Sequence, residues 1–126
     1  ELLTVRLPGW VESRVVHRGV WLLPLGGDVY RLGATYDWAR LDDQPTAGGR
    51  DELLERLRTW WRGPVEVLDH QAAVRPIHRN QYPVLGWHPE ANQLGYLNGL
   101  GSKGALQGPT AAAELLAASD DPRSIA

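Results

Sequence analysis

One helical stripe, set among runs that read as strands, constrains this chain more than any other feature. Leu53, Leu54, Leu57, Trp60 and Trp61 fall at i, i+1, i+4, i+7 and i+8, which is one face of a 3.6-residue period. The spacing predicts a helix over 50–62. Asp51 and Glu52 are expected in its first turn, Arg58 and Arg62 in its last, and both pairs suit the helix dipole. Gly63-Pro64 stops it. Burying such large side chains is worth roughly 1.5–3 kcal/mol each before entropy is charged. The stripe therefore needs a partner, and the flanking segments offer a sheet.

Leu2 to Leu7 alternates as a strand and ends at Pro8-Gly9. Arg14–Arg18 and Gly19–Leu25 are two further strand segments, the second rich in β-branched and aromatic residues. Gly26-Gly27-Asp28 then reads as a hairpin turn, with Val29–Tyr36 as the return strand. Gly33-Ala34 interrupts that strand, which suggests close approach by another backbone or a ligand. Residues 37–49 form a polar loop. Val65–His70 is the next strand, and the helix is expected to pack on the hairpin sheet.

The stretch from Val74 to Pro109 has a different character. Arg75 precedes Pro76 and is held extended. Tyr82–Trp87 and Leu94–Asn98 read as short strands. Gly99, Gly101 and Gly104 make a turn that opens a small-residue helix running to about Ser119, with Pro109 starting its regular part or kinking it. Asp120–Ala126 is a polar tail. Strands, a helix, more strands and a second helix give an α+β class.

Composition excludes several functions. The chain has 126 residues and a net charge of −2, so no basic field supports nucleic-acid binding. No apolar run approaches the ~20 residues of a membrane helix. Zero cysteines remove disulfides, thiolate nucleophiles and Cys-type metal sites, and fit a cytoplasmic protein. The chain has no Met, and Glu1 already leads into a strand. Both features suggest part of a longer protein.

His17, His70, His78 and His88 are scattered, with no spacing that favours zinc, so no metal site is assigned. Ser102 sits between glycines and a lysine, but the segment lacks the Gly-x-Ser-x-Gly spacing of a hydrolase elbow. The amides of Gly101, Ser102, Lys103, Gly104 and Ala105 open a helix and would present N–H groups to an anion or an electron-rich carbonyl. A tight helix–strand turn explains the same residues. Arg75 is either a surface ion pair or a carboxylate clamp, since a guanidinium fork matches a carboxylate two bonds at a time. Trp60 and Trp61 belong to the core. Trp10, Trp38 and Trp87 lie in or near loops, and Trp21 lies in a strand. A Trp-rich module that binds a sugar or a protein partner thus stays open.

Four segments in order resemble one family: residues 22–35 (Leu-Leu-Pro-Leu-Gly-Gly-Asp-Val-Tyr-Arg-Leu-Gly-Ala-Thr), 74–76 (Val-Arg-Pro), 83–89 (Pro-Val-Leu-Gly-Trp-His-Pro) and 98–104 (Asn-Gly-Leu-Gly-Ser-Lys-Gly). Together they look like the C-terminal part of FAD-dependent oxidoreductases of the D-amino-acid oxidase, glycine oxidase and sarcosine oxidase group. The resemblance implies a fragment of a two-domain α/β flavoprotein. Residues 1–72 would be an antiparallel or mixed substrate-domain sheet with one packing helix. Residues 73–126 would be the last strand and helix of a Rossmann-type FAD domain. The Gly-x-Gly-x-x-Gly loop that holds the FAD pyrophosphate would belong to a missing N-terminal domain, without which the fragment would be inactive.

Under that resemblance Arg75 binds the substrate carboxylate, and Trp21 and Tyr36 stand at pocket-wall positions. Gly101, Ser102, Lys103, Gly104 and Ala105 lie against the flavin pyrimidine. The implied substrate is a small amine or amino acid, oxidised by hydride transfer from carbon to flavin N5, and no catalytic side chain is assigned. Ser102 replaces a basic residue of glycine oxidase-type members, and Trp21 replaces a tyrosine, so the substrate itself stays unnamed. The Gly-Ser-Lys-Gly turn also looks like that of bacterial tRNA-modifying oxidoreductases.

Overall fold

The computed structural model describes residues 1–79 and 82–118, with Asn92 by its backbone alone. The chain forms two compact units, Glu1–Val74 and Arg75–Ala126. Every described strand pairing is antiparallel, and the class is α+β.

The first unit is built on a five-stranded sheet in the order β2-β3-β4-β1-β5. Its strands are β1 (Leu2–Arg6), β2 (Val16–Arg18), β3 (Val20–Gly26), β4 (Val29–Gly33) and β5 (Glu66–Gln71). Alternation decides which side chains go inward. Leu3 and Val5 of β1 are fully buried, and so are Leu22, Tyr30 and Leu32 of the hairpin. Against them lies α1 (Ala47–Arg58), which contributes Leu53, Leu54 and Leu57. Trp60 and Trp61, past its end, still pack on this core.

The helix begins three residues earlier than the apolar stripe indicates and ends four residues sooner. Gly48 and Gly49 look like loop residues, yet Thr46 overrides them: its Oγ1 accepts the Gly49 N–H at 3.0 Å and caps the helix. Asp51 and Glu52 therefore fall beyond the first turn, and the last-turn cations are Arg56 and Arg58 rather than Arg58 and Arg62. The return strand stops at Gly33 rather than Tyr36.

Glu1 joins three elements. Its carboxylate accepts the Thr46 hydroxyl at 2.7 Å and the Thr46 N–H at 3.1 Å, and Oε2 lies 2.7 Å from His70 Nε2 on β5. Burial alone would raise this carboxyl. The Thr46 hydrogen bonds and the His70 contact outweigh burial, so the group sits below its ordinary value.

An aromatic block closes the far end of the core. Trp10 stacks on Tyr30 at 5.0 Å and meets Trp60 and Trp61 at 5.8 and 5.5 Å. The Tyr30 hydroxyl accepts the Glu12 N–H at 2.7 Å and donates to the Trp10 carbonyl at 3.1 Å, which satisfies its polar end inside the core. The Arg18 guanidinium stands 5.9 Å over the Trp60 ring.

The second unit holds a hairpin, β6 (Val84–His88) with β7 (Ala91–Asn98), followed by a 3-10 turn at Gly101–Lys103 and α2 (Gly104–Ala117). Strand β7 starts at Ala91, not Leu94, because it pairs directly with β6 across Pro89-Glu90. Pro109 lies inside α2. Trp87 Nε1 donates to the Leu115 carbonyl at 3.1 Å and ties hairpin to helix. Among the described residues of this unit only Gly86, Gly99 and Ala111 are buried, while Leu94, Leu106 and Leu116 are exposed. The expected end of the helix at Ser119 and the tail at 120–126 lie outside the described residues.

Thr46→Ala removes both a helix cap and a hydroxyl that Glu1 accepts, so urea denaturation should show a loss of about 1–2 kcal/mol. A loss below a few tenths would mean the cap is dispensable. Because the folded Glu1 carboxyl lies below the usual value of 4.5, its contribution is present above that pH. It disappears as pH falls through the folded value. Stability of Glu1→Gln should accordingly depend less on pH than the parent's in urea melts below about pH 4.5; parallel curves would contradict this.

Candidate functional site

Helix α1 covers one face of the five-stranded sheet. The opposite face carries no helix of this unit, and strand register lays it out in rows. One row runs His17, Trp21, Gly33, Leu2, Gln71 across β2, β3, β4, β1 and β5. The next runs Leu23, Arg31, Thr4, Asp69, and a third holds Val29, Arg6 and Glu66. Leu23 is exposed, whereas Trp21, Arg31 and Thr4 are half-buried. The middle row of this face thus carries the polar Arg31 and Thr4 between Leu23 and Asp69.

Trp21, one of the sequence-predicted residues, sits on this face. Its six-membered ring lies directly on Gly33, where a β-carbon would fall inside the indole. The small residue in β4 thus accommodates a neighbouring side chain, not the backbone or ligand that the Gly33-Ala34 interruption suggests. Tyr36 follows β4 and is 65% exposed.

Arg75 and the glycine turn, 26 positions apart in sequence, are brought together in the second unit. The Pro76 carbonyl accepts the Gly101 N–H at 3.2 Å, Ile77 bridges Leu100, and the Ile77 side chain packs on Gly101. Gly99 and Gly101 have φ of 76° and 56°, a region glycine enters without cost. Gly104 is helical. The Gly101 amide, expected to face a ligand, is thus used by Pro76, and the Lys103 amide bonds the Leu100 carbonyl at 3.2 Å. No side chain caps α2 or the 3-10 turn before it. Ser102, Lys103 and Ala105 are exposed, at the positive end of the α2 dipole.

The tryptophans do not form a binding face among the described residues. Trp10, Trp60 and Trp61 pack on the core, Trp21 lies on Gly33 and Trp87 against Gly95, and Trp38 is 69% exposed in a loop. Among the described residues no three His, Asp or Glu side chains gather as a metal set, and no helix is long and apolar enough to cross a membrane.

Arg31 escaped the reading of residue types. Among the described residues its Nε is buried and has no hydrogen-bond partner. The signal was present in β4: inward Tyr30 and Leu32 send the arginine between them to the other face, beside Trp21.

The first unit is a five-stranded sheet with one helix-covered face, and the second carries a glycine turn at a helix start. The chain belongs to the family of FAD dependent oxidoreductases, the DAO family, whose model matches residues 2–119. It is similar to the crystal structure of iminodiacetate oxidase from Chelativorans sp. BNC1, with 28% identity and a TM-score of 0.73 over 90% of this chain and 33% of that one. It is also similar to glycine oxidase from Geobacillus kaustophilus, with 26% identity and a TM-score of 0.75 over 98% of this chain and 34% of that one. The chain spans about a third of the length of these structures.

Gly33→Val should push the Trp21 indole off β4 and lower stability by about 1–3 kcal/mol, the usual cost of overpacking. Adding Trp21→Ala should recover most of that loss in a double-mutant cycle. Additive losses would show that the two residues are not in contact.

Proposed function

We propose that this chain is the substrate-domain and C-terminal part of an FAD-dependent oxidoreductase that oxidises a small amine or amino acid. The observation that carries the reading is the family match over residues 2–119, which takes in every candidate residue. The names of the similar structures, an iminodiacetate oxidase and a glycine oxidase, support an amine that also bears a carboxylate.

Bound FAD would supply the hydride acceptor, its N5, for oxidation of the carbon beside the substrate nitrogen. The residues of this chain have simpler tasks. Arg75 holds a carboxylate by its guanidinium fork, with its backbone fixed by Pro76 and the Pro76–Gly101 hydrogen bond. Trp21 and Tyr36 form pocket walls and exclude water. The turn at Gly101, Ser102, Lys103, Gly104 and Ala105 sets the uncapped start of α2 against the pyrimidine end of the flavin. There the helix dipole stabilises negative charge. With the Gly101 and Lys103 amides already bonded and the Gly104 amide closing the 3-10 turn, the Ser102 and Ala105 amides carry that contact.

In this reading residues 1–72 are the substrate domain and residues 73–126 return to a Rossmann-type FAD domain. The sparse burial of the second unit supports a role as one layer of a larger domain, because its exposed leucines need a covering surface. Gly99-Leu100-Gly101-Ser102-Lys103-Gly104 has the Gly-x-Gly-x-x-Gly spacing. It follows a strand of an antiparallel hairpin and not the first strand of a parallel βαβ unit, so in this reading it is not the pyrophosphate loop. The 126-residue chain should therefore bind FAD weakly or not at all, and the full-length protein should purify yellow. Stoichiometric flavin on the short chain would contradict the division of labour. In the full-length enzyme Arg75→Ala should raise KM for a carboxylate substrate by at least about tenfold, the worth of charge-assisted hydrogen bonds. Arg75 is exposed in this unit, and an unchanged KM would show that it binds no substrate carboxylate.

A further inference from the structure

Residues 36–45 form a loop whose two roots hang on a single residue. At its start the Glu1 carbonyl accepts the Thr35 N–H at 3.2 Å, and the Glu1 nitrogen donates to Thr35 Oγ1 at 2.8 Å. At its end the Glu1 carboxylate accepts the Thr46 hydroxyl at 2.7 Å and the Thr46 N–H at 3.1 Å. A ten-residue span with its ends held this close is an Ω-loop, a form that often carries function.

The loop is braced from within. Asp37 Oδ1 accepts the Ala39 N–H at 2.8 Å and the Arg40 N–H at 3.3 Å. Arg40 pairs with Asp42 at 3.1 Å. Asp42 accepts the Gln44 N–H at 3.0 Å, and the Gln44 side-chain amide donates to Asp43 at 2.9 Å. Among the described residues, no hydrogen bond of residues 37–45 reaches the sheet or α1. The whole span is exposed, Trp38 at 69% and Leu41 at 72%. A plain connection could use polar residues at both positions.

The loop leaves β4 at the end of the sheet that carries the row of His17, Trp21, Gly33, Leu2 and Gln71. The Trp21 indole, lying on Gly33, therefore stands at its root. Leu23, in the next row of the open face, is 41% exposed. Five residues out and five back reach about 17 Å, while successive rows on one face are about 7 Å apart. The loop is long enough to lay Trp38 and Leu41 over Trp21 and Leu23.

We infer that residues 36–45 are a lid, hinged at Thr35 and Thr46, that closes Trp38 and Leu41 over the open sheet face when a small ligand is bound there. Closure withdraws the exposed apolar side chains from water and shuts water away from the ligand. Because Glu1 fixes both roots, only the span between them moves. The structure shows the open form. A lid of this kind rests on the oxidoreductase reading, which supplies the small ligand, and adds a closing step between binding and chemistry.

Hydrogen exchange of the full-length protein tests it, first with FAD bound and then with acetate or benzoate added. These carboxylates carry no amine to oxidise, and the flavin absorbance reports whether they bind. With FAD alone the amides of 36–45 should exchange fast. A bound carboxylate should slow them at least about tenfold and leave the Leu53–Leu57 amides of α1 unchanged. The double variant Trp38→Ala/Leu41→Ala, altered at two exposed positions, should melt with the parent and lose that protection. It should also bind the same carboxylate at least about tenfold more weakly, the worth of large apolar side chains withdrawn from water. Unchanged exchange in 36–45 when a carboxylate binds overturns the lid. Exchange already slow with FAD alone overturns it too, because the loop is then docked permanently on the rest of the protein. A flavin spectrum that neither carboxylate moves overturns the reading of a carboxylate-bearing substrate, and the lid with it.

Discussion

Burial of the Leu53, Leu54 and Leu57 stripe against Leu3, Val5, Leu22 and Leu32 is the interaction on which the first unit depends. Each of these leucines is worth roughly 1.5–3 kcal/mol when taken out of water, and the sheet has only one face to offer them. Once α1 occupies that face, strand alternation sends Trp21, Arg31 and Thr4 to the other. The same residues that make the core therefore fix which side chains are left for a ligand. Glu1 reinforces the arrangement by binding the cap of α1 and His70 of β5 together.

The second unit follows a different logic. It buries almost nothing among its described residues, and its order comes from backbone pairing: β6 with β7, Ile77 with Leu100, and Gly101 with Pro76. Those last contacts place the Arg75 backbone beside the glycine turn without a hydrophobic core to hold it. An element on so small a core gains rigidity from whatever covers it.

Much of this was legible in residue order. The leucine and tryptophan stripe announced α1, and Gly26-Gly27-Asp28 announced the β3–β4 hairpin, because period and turn chemistry are local signals. The start of α1 was not legible, since Gly48 and Gly49 carry loop propensity and only the Thr46 cap with its tie to Glu1 overcomes it. The role of Gly33 needed the position of Trp21 twelve residues earlier, which is tertiary information. For the proposed site, Trp21 and Tyr36 come from family resemblance, and Arg75 and the Gly101–Ala105 turn from residue type together with that resemblance. That the buried Arg31 Nε meets no acceptor among the described residues is tertiary information, and residue order does not display it.

The central proposal is that Trp21, on the open face of the five-stranded sheet, forms a wall of the substrate pocket that bound FAD would close. Hydroxyl-radical footprinting of the full-length protein, with FAD bound and with FAD removed, tests it most directly at the level of single tryptophans. The account predicts that Trp21 oxidation falls sharply when FAD is bound, that Trp60 and Trp61 stay protected in both states because they pack on the core, and that Trp38, exposed in its loop, stays reactive. Equal oxidation of Trp21 with and without FAD, while Trp60 and Trp61 remain protected, would contradict it.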